Sequence, residues 1–486
     1  MATQTQQQAK KMDLSWLHLA IMFLLMFCFG FITPIGAITP LGMKMVGIFF
    51  GLLYGWSTMD MLLPSLMGMV ALGFSGLGSV KEILIMGFGN ETIVFLIFIL
   101  ALVQMLIDSG AVNAVSSFII TRKALQGRPW VFSFVFLCVS GLLCTFGQAY
   151  ASIFLCWGIL YGVFDKVGYK PYEKYPTMMI IGVIISAAAF GIMIPFRAMP
   201  LVILSTFASI TGITVNYLQY MLVMVPTGLV IMAGYLFACK LFWRPDVSKM
   251  QDFDVEKLVT ESKEITKYQK AILIAFGIML IILLIPGSLP KSWGIVAFLN
   301  SIGNAGLMII CTILFCMIKV EGKPLLDFSA AARSGINWHV LLMLVVVMLM
   351  SSLLISDATG IKVFLVDVLK PILSGCSGVI FLVALFLITL ILTNFMNNIV
   401  VGVMFLPVLA AFYQTMDANP IVGVILILLS INTAFLTPAA SPATAMLYAK
   451  TEWMHPKDVL KVMVITVGVF TAIALTLTMG LGLLVF

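Results

Sequence analysis

The sequence predicts an all-α polytopic membrane protein with about 11 transmembrane helices, and three observations support this. Of its 486 residues, 62% are hydrophobic and only 10% charged, against about 45–50% and ~25% in ordinary globular chains. Mean hydropathy is +1.15. The charged residues that exist cluster in short segments between long apolar runs, and the longest such segment, Lys240–Lys270, is too short to be a catalytic domain. The net charge of +7 therefore follows the positive-inside pattern of membrane loops and does not indicate a nucleic-acid partner.

Each segment follows from the length of an apolar run, since a span takes about 20 residues. Residues 1–13 are Gln-rich with Lys10 and Lys11, and are expected to form a cytoplasmic N-terminus. Spans are expected near Trp16–Thr33, Leu41–Trp56, Met61–Ser79 and Thr92–Ile107, then an amphipathic piece over Ser109–Thr121. From Pro129 to Phe164 there is no charge over about 36 residues. Both flanks are basic: Arg122, Lys123 and Arg128 precede the run, and Lys166, Lys170 and Lys174 follow it. Two basic flanks place both ends on one side, and the run is short for two full spans, so a re-entrant hairpin is predicted over 129–164. Its tip is the small, polar patch Thr145–Ser152.

A broken helix follows over 176–209. Gly191, Pro195 and Pro200 interrupt it, and prolines do not sit in an undisturbed helix interior. Irregular backbone at that depth is tolerated only where it lines a protein-buried or wet cavity. Tyr217–Cys239 is a further span, and 240–270 is a solvated linker with seven Lys/Arg and six Asp/Glu. The second half repeats the plan. Spans near Ala271–Ile285, Val296–Ile318 and Trp338–Ile355 lead to a hairpin over 371–414, a broken helix over 419–449 and a last span, Val462–Phe486. The hairpin carries Leu392-Thr393-Asn394-Phe395-Met396-Asn397-Asn398, and the break carries Thr437-Pro438 through Ser441-Pro442-Ala443-Thr444.

The halves correspond at an offset of about 250 residues: Asp108 with Asp357, Phe146-Gly147-Gln148 with Phe395-Met396-Asn397, Pro195 and Pro200 with Pro438 and Pro442. The two halves enter from opposite sides, which gives inverted repeats over 14–239 and 271–486. Residues 14–121 and 271–370 form a scaffold, and 129–239 and 371–486 a transport unit. Matched Gly/Pro interruptions in inverted repeats mark the substrate and ion site of secondary transporters. Half-helix N-termini attract anions there, and unwound carbonyls hold cations.

These motifs resemble the divalent anion/sodium symporter family of the ion transporter superfamily, whose hairpin tips carry Ser-Asn-Thr and whose broken helices carry a Thr-Pro…Pro-Pro-Asn-like pattern. The resemblance covers nearly the whole chain in topology. It implies a homodimer, an elevator mechanism, di- or tricarboxylates or sulfate as substrate, and sodium as the coupling ion, with no other cofactor. By that resemblance Thr393, Asn398 and carbonyls near Met396 and Ala440 hold sodium, and Asn397, Asn398, Ser441, Pro442 and Thr444 face the substrate. In the first half Gln148-Ala149-Tyr150 replaces Ser-Asn-Thr, Cys144 replaces a ligand-type serine, and Arg197 stands where the family has a glycine whose carbonyl faces sodium. Gln148 and Tyr150 are candidate substrate residues at that tip.

Arg197 is the only charged residue between Lys174 and Lys240. A charge at bilayer depth costs at least ~2.5 kcal/mol on insertion scales. Two compatible readings stand. Its planar fork binds a substrate carboxylate, or it supplies a built-in cation where sodium would sit. A side chain that only pairs with backbone carbonyls or reaches for the surface is the plain alternative.

The function expected is a secondary transporter of small organic anions, di- or tricarboxylates foremost, with a reduced sodium requirement. Two alternatives are a sodium-independent exchanger or uniporter, with Arg197 replacing one sodium, and a cation/proton antiporter of the same superfamily. The antiporter would need a carboxylate at the midplane, which the breaks and tips lack. No enzyme is expected, because no polar catalytic set of His with Asp or Cys exists. Eight scattered cysteines and three histidines form no metal-ligand spacing. The chain is expected in the plasma (inner) membrane, N-terminus cytoplasmic and C-terminus outside.

Overall fold

The computed structural model describes residues 16–112, 114–115, 127–146, 149–251, 265–289, 292–354, 356–361, 363–364, 367–368, 377–413, 420–437 and 440–486. It is helical apart from one small hairpin, Lys319–Val320 with Lys323–Pro324. The N-terminus 1–13, Gln148, Pro438, all of 252–264, and the flanking charges Arg122, Lys123, Lys370 and Asp417 lie outside the described residues.

The first repeat begins with α1 (Trp16–Phe31), α2 (Pro40–Thr58), α3 (Leu62–Phe74), α4 (Val80–Phe88) and α5 (Glu91–Asp108). Within the expected span Met61–Ser79 only Leu62–Phe74 is helical, and a separate helix that the sequence reading does not place follows directly after it. Ser79 starts that helix with a capping box: its Oγ accepts from the Glu82 N–H at 3.3 Å, and Glu82 Oε2 accepts from the Ser79 N–H at 2.7 Å. Lys44 donates to the Ser75 carbonyl at 2.9 Å, placing its charge at the C-terminal end of α3. The hairpin follows as α6 (Pro129–Phe146) and α7 (Ala149–Val167), and the broken helix as α8 (Lys174–Gly191) and α9 (Ala198–Thr211). Helix α10 (Tyr217–Ala238) closes the repeat, its Asn216 accepting from the Leu218 N–H at 2.8 Å as N-cap.

The second repeat contains α11 (Lys267–Ser288), α12 (Gly294–Met317), α13 (Phe328–Gly335) and α14 (Trp338–Leu354). Then come the hairpin α15 (Gly378–Leu392) and α16 (Asn398–Tyr413), the broken helix α17 (Pro420–Ile431) and α18 (Pro442–Tyr448), and α19 (Pro456–Val485). Among the described residues, seven helices are long and apolar enough to cross a membrane, and α13 with α14 forms a bent pair at 76°. Six shorter apolar helices, among them α9, α15, α16 and α17, are half-helices or short spans. Helix α12 is kinked at Gly303 (φ 70°, ψ 169°). Beyond the kink, the Ala305 N–H donates to Glu91 Oε1 at 3.4 Å.

The inversion is visible in the contacts. The base of the first hairpin meets lysines: Lys240 lies over Trp130, and Lys249 pairs with Glu173 at 2.9 Å. At that same end the Tyr172 N–H donates to the Trp453 carbonyl, and Gln269 Nε2 donates to the Ser109 carbonyl. The base of the second hairpin lies at the opposite end. There an added Cβ on Gly423 of α17 would run into Leu409 and Leu382 of the hairpin, one on Gly482 would touch Val422, and Gln219 Nε2 donates to the Val485 carbonyl.

Helix α14 sits at the centre, with Leu341 and Met343–Val347 all at most 2% exposed. It packs against α3 and α4 on one side and α9 on the other. Between them runs an apolar seam in which Phe49 and Leu52 of α2 and Met350 of α14 meet Ile210 of α9 and Val403 of α16. Between α14 and α15, Gly360 adopts φ +66°, and an added Cβ would overlap the Ala37 carbonyl. Left-handed backbone costs an L-residue about 1–2 kcal/mol, and overpacking a further ~1–3. Gly360→Ala is therefore expected to lower the melting temperature clearly in a fluorescence thermal-shift assay. An unchanged melting temperature would contradict the close approach of the two backbones.

Candidate functional site

The site is built where four half-helices end and four begin. Helices α6, α8, α15 and α17 bring C-terminal carbonyls to it, and α7, α9, α16 and α18 bring N-terminal N–H groups. The C-terminal ends carry partial negative charge and the N-terminal ends partial positive charge.

In the first half, Arg197 is the N-cap residue of α9 with extended backbone (φ −75°, ψ 154°). Its side chain is half-buried. Nη1 donates to the Cys144 carbonyl, near the end of α6, at 3.0 Å. The guanidinium also lies over the end of α8, 3.8 Å from where a Cβ on Gly191 would stand. The one cation of the break thus sits against the negative ends of two helices, as a bound metal cation would. A purely structural arginine would make the same carbonyl contact, so the geometry fits two of the three readings. Next to Cys144, the buried Thr145 hydroxyl has no hydrogen-bond partner among the described residues. Ser152 Oγ ties the two arms of the hairpin by donating to the Leu143 carbonyl at 3.1 Å. Gln148 and the side chain of Tyr150 lie outside the described residues, so neither candidate substrate residue of the first tip has a described side-chain geometry.

In the second half, Thr393 Oγ1 stands 3.1 Å from Asn398 Oδ1 and 3.0 Å from the Ile431 carbonyl. One hydroxyl proton cannot serve both acceptors, so three oxygens converge with a single proton among them. Such a surplus of acceptors is what a hard cation takes. Asn397 Oδ1 caps α16, accepting from the Ile399 N–H at 3.0 Å and the Val400 N–H at 3.4 Å. Ser441 caps α18, accepting from the Thr444 N–H at 3.2 Å and lying 2.6 Å from Thr444 Oγ1. Thr444 Oγ1 also donates to the Ala434 carbonyl at 3.0 Å. Pro442 is exposed at the start of α18, Met396 is half-buried, and Ala440 is buried with its N–H donating to the Thr437 carbonyl at 3.1 Å.

Two asparagines that the sequence reading did not single out hold these parts together. Asn394, 2% exposed, donates through Nδ2 to the Leu390 carbonyl at 2.8 Å and accepts at Oδ1 from the Leu436 N–H at 2.9 Å. Its own carbonyl accepts from Thr437 Oγ1 at 2.7 Å. The tip of the second hairpin is thereby fixed to the second break. Asn432, just past α17, donates through Nδ2 to the Ala188 carbonyl of α8. The two interruptions therefore meet, and α18 packs on α8. Among the described residues, no hydrogen bond joins Arg197 directly to a second-half site residue. The signal for Asn432 was present: it is a lone amide ending a long apolar run.

A cavity of about 720 Å³ opens along α9, lined by Leu201, Ser205 and Ser209 of that helix, by Asn90 and Glu91, and by Asn304. Its volume falls among small-molecule sites. Leu201 lies one helical turn from Arg197, whose carbonyl accepts its N–H at 2.8 Å. The cavity thus runs along α9 to within a turn of Arg197, and Glu91 is the one carboxylate lining it among the described residues.

Comparison with known proteins agrees with this architecture. A sodium-dependent dicarboxylate transporter (SdcS) of Staphylococcus saprophyticus is 20% identical over 285 residues, covering 57% of this chain and 53% of the relative. The chain thus matches about half the length of that relative. Among solved structures, the YdaH transporter of Alcanivorax borkumensis aligns with TM-score 0.57 at 11% identity, over 82% of this chain and 86% of that one. MtrF of Neisseria gonorrhoeae, described among antimetabolite efflux pumps, aligns with TM-score 0.55 at 14% identity, over 82% of each chain. At such identities the two structures speak for the fold alone. The family model for the sodium:sulfate symporter transmembrane region matches residues 16–485, so the chain belongs to the sodium:sulfate symporter family, the divalent anion/sodium symporters its motifs resemble.

Proposed function

We propose that this protein is a secondary active transporter of small organic dianions, dicarboxylates foremost, that uses sodium only at its second-half site. In the first half the guanidinium of Arg197 takes the place of a sodium ion. The observation that carries this reading is the contact of Arg197 Nη1 with the Cys144 carbonyl at 3.0 Å, inside a broken helix. A fixed cation there leaves the N-terminus of α9, which has no side-chain cap, able to receive carboxylate oxygens. The guanidinium fork carries further N–H donors suited to the same oxygens. The substrate set is then Arg197, Asn397, Asn398, Ser441, Pro442 and Thr444, joined by Gln148 and Tyr150. The cation set is Thr393, Asn398 and the Ile431 carbonyl, joined by the carbonyls of Met396 and Ala440.

Movement is by an elevator, the unit 129–239 with 371–486 sliding on the scaffold 14–121 with 271–370. The apolar seam between α2, α14 and α9, α16 supports this, because burial of apolar surface is non-directional and survives a change of register. A homodimer would hold the two scaffolds still. The lysine-rich end is cytoplasmic by the positive-inside rule. The N-terminus is then inside, the C-terminus outside, and the cavity along α9 opens outward.

Counterflow in proteoliposomes tests the substrate class. Labelled succinate should exchange against internal succinate and be displaced poorly by sulfate. Equal displacement by sulfate, or no exchange at all, would overturn the dicarboxylate reading. Thr393→Val keeps the shape of the side chain and removes one of the three oxygens. It is expected to raise the sodium KM for uptake about tenfold while leaving the succinate KM near its starting value. A rise confined to succinate would remove Thr393 from the cation set. The second reading, exchange without any sodium, is favoured by the same built-in cation and predicts no sodium response.

A further inference from the structure

A second cavity, of about 700 Å³, lies far from the breaks at the lysine-rich end. Three elements wall it: the first residue of α8, Lys174; the π-turn Cys239–Trp243 that extends α10; and the first turns of α19, with Asp458, Leu460, Lys461 and Val464. The π-turn ends at Arg244 in the left-handed region (φ 50°), which turns the chain away and leaves Phe242 projecting, 67% exposed. Val464 and Leu460 on the facing helix are 56% and 46% exposed. Trp243 forms the floor, its Nε1 donating to the Lys174 carbonyl at 2.9 Å. The Lys174 ammonium lies 5.5 Å from the centre of the Trp243 ring. Lys461 stands 3.7 Å from Asp458.

The groove therefore has two chemistries in sequence. Its mouth carries two ammonium groups against one carboxylate, which leaves an excess of positive charge. Its lower walls are exposed aliphatic and aromatic side chains on helices that continue into the bilayer. A soluble anion would satisfy the mouth and leave the walls bare. A zwitterionic headgroup would bring a second cation next to Lys174 and Lys461. Only an amphiphile with an anionic head covers both parts, and basic pockets between transmembrane helices take such lipids.

We propose that this groove binds one anionic phospholipid, its phosphate between Lys174 and Lys461 and an acyl chain along Phe242, Leu460 and Val464. Purified full-length protein is tested by native mass spectrometry with added phosphatidylglycerol or phosphatidylcholine, and by thermal shift with each lipid and with inorganic phosphate. Phosphatidylglycerol should be retained about tenfold more than phosphatidylcholine and should raise the melting temperature, and inorganic phosphate should not. The double variant Lys174→Gln, Lys461→Gln should lose the preference between the two lipids. A phosphatidylglycerol carrying a photoreactive acyl chain should label peptides containing Phe242 and Leu460–Val464 in the unaltered protein, a readout independent of how the variant folds. Equal retention of both lipids, an equal shift with inorganic phosphate, an undiminished preference in the double variant, or labelling confined to other helices would each overturn the proposal.

Discussion

Arg197→Ala is expected to reduce dicarboxylate uptake about 100-fold, with the melting temperature nearly unchanged. The guanidinium is half-buried and Nη1 spends one hydrogen bond on the Cys144 carbonyl, a bond worth about 1 kcal/mol to the fold. Its larger role is electrostatic. Removing a charge from a hydrogen-bonded, partly desolvated pair costs about 2–5 kcal/mol, and a factor of ten is about 1.4 kcal/mol. Arg197→Lys separates the two parts of the role. An ammonium preserves the fixed charge but not the planar fork. Partial activity in the lysine variant favours the built-in cation, and activity as low as in the alanine variant favours a carboxylate clamp. Full uptake by Arg197→Ala would leave only the structural role, in which the side chain serves the carbonyl of Cys144 and nothing else.

Asn394→Leu is the second large effect, and it acts on the fold of the site. The side chain is of similar size, but it can neither donate to the Leu390 carbonyl nor accept from the Leu436 N–H. Each buried group left unpaired costs about 1–3 kcal/mol, so the variant should lose roughly 2–5 kcal/mol and melt several degrees lower. Uptake should collapse with it, because the hairpin tip and the break no longer hold a common position. Asn394→Asp keeps the acceptor for Leu436 and should recover part of the stability. If the leucine variant melts and transports normally, the pinning of α15 to the second break has no energetic weight.

The large features of this fold are legible in the sequence because each has a local cause. A charge-free run with basic residues on both flanks marks the first hairpin, and helices over Pro129–Phe146 and Ala149–Val167 occupy it. Prolines and glycines mark the broken helices, and Gly191 and Pro442 stand at the ends of half-helices. What was not legible depends on partners distant in sequence. Nothing local distinguishes Gly303 from other glycines in apolar runs. Its left-handed backbone goes with the carboxylate of Glu91, whose Oε1 accepts from the Ala305 N–H. Asn432 stands out in sequence as a lone amide ending an apolar run, but its partner, the Ala188 carbonyl, does not. The start of α4 is legible as well, since Ser79 and Glu82 form a capping box, but it lies just past the apolar run Met61–Ser79, in a stretch to which the sequence reading assigns no element.

The sodium dependence of succinate uptake into proteoliposomes, measured for the unaltered protein and for Arg197→Gly, tests the central claim most directly. With one site of three converging oxygens at Thr393, Asn398 and Ile431, and a fixed cation at Arg197, uptake by the unaltered protein should saturate with sodium along a hyperbola of Hill coefficient about one. Arg197→Gly restores the residue type the family carries there, and should make the dependence steeper at a higher half-saturating concentration. Uptake that is flat from zero to high sodium, or that is already steeply cooperative in the unaltered protein and identical in the glycine variant, would contradict the account.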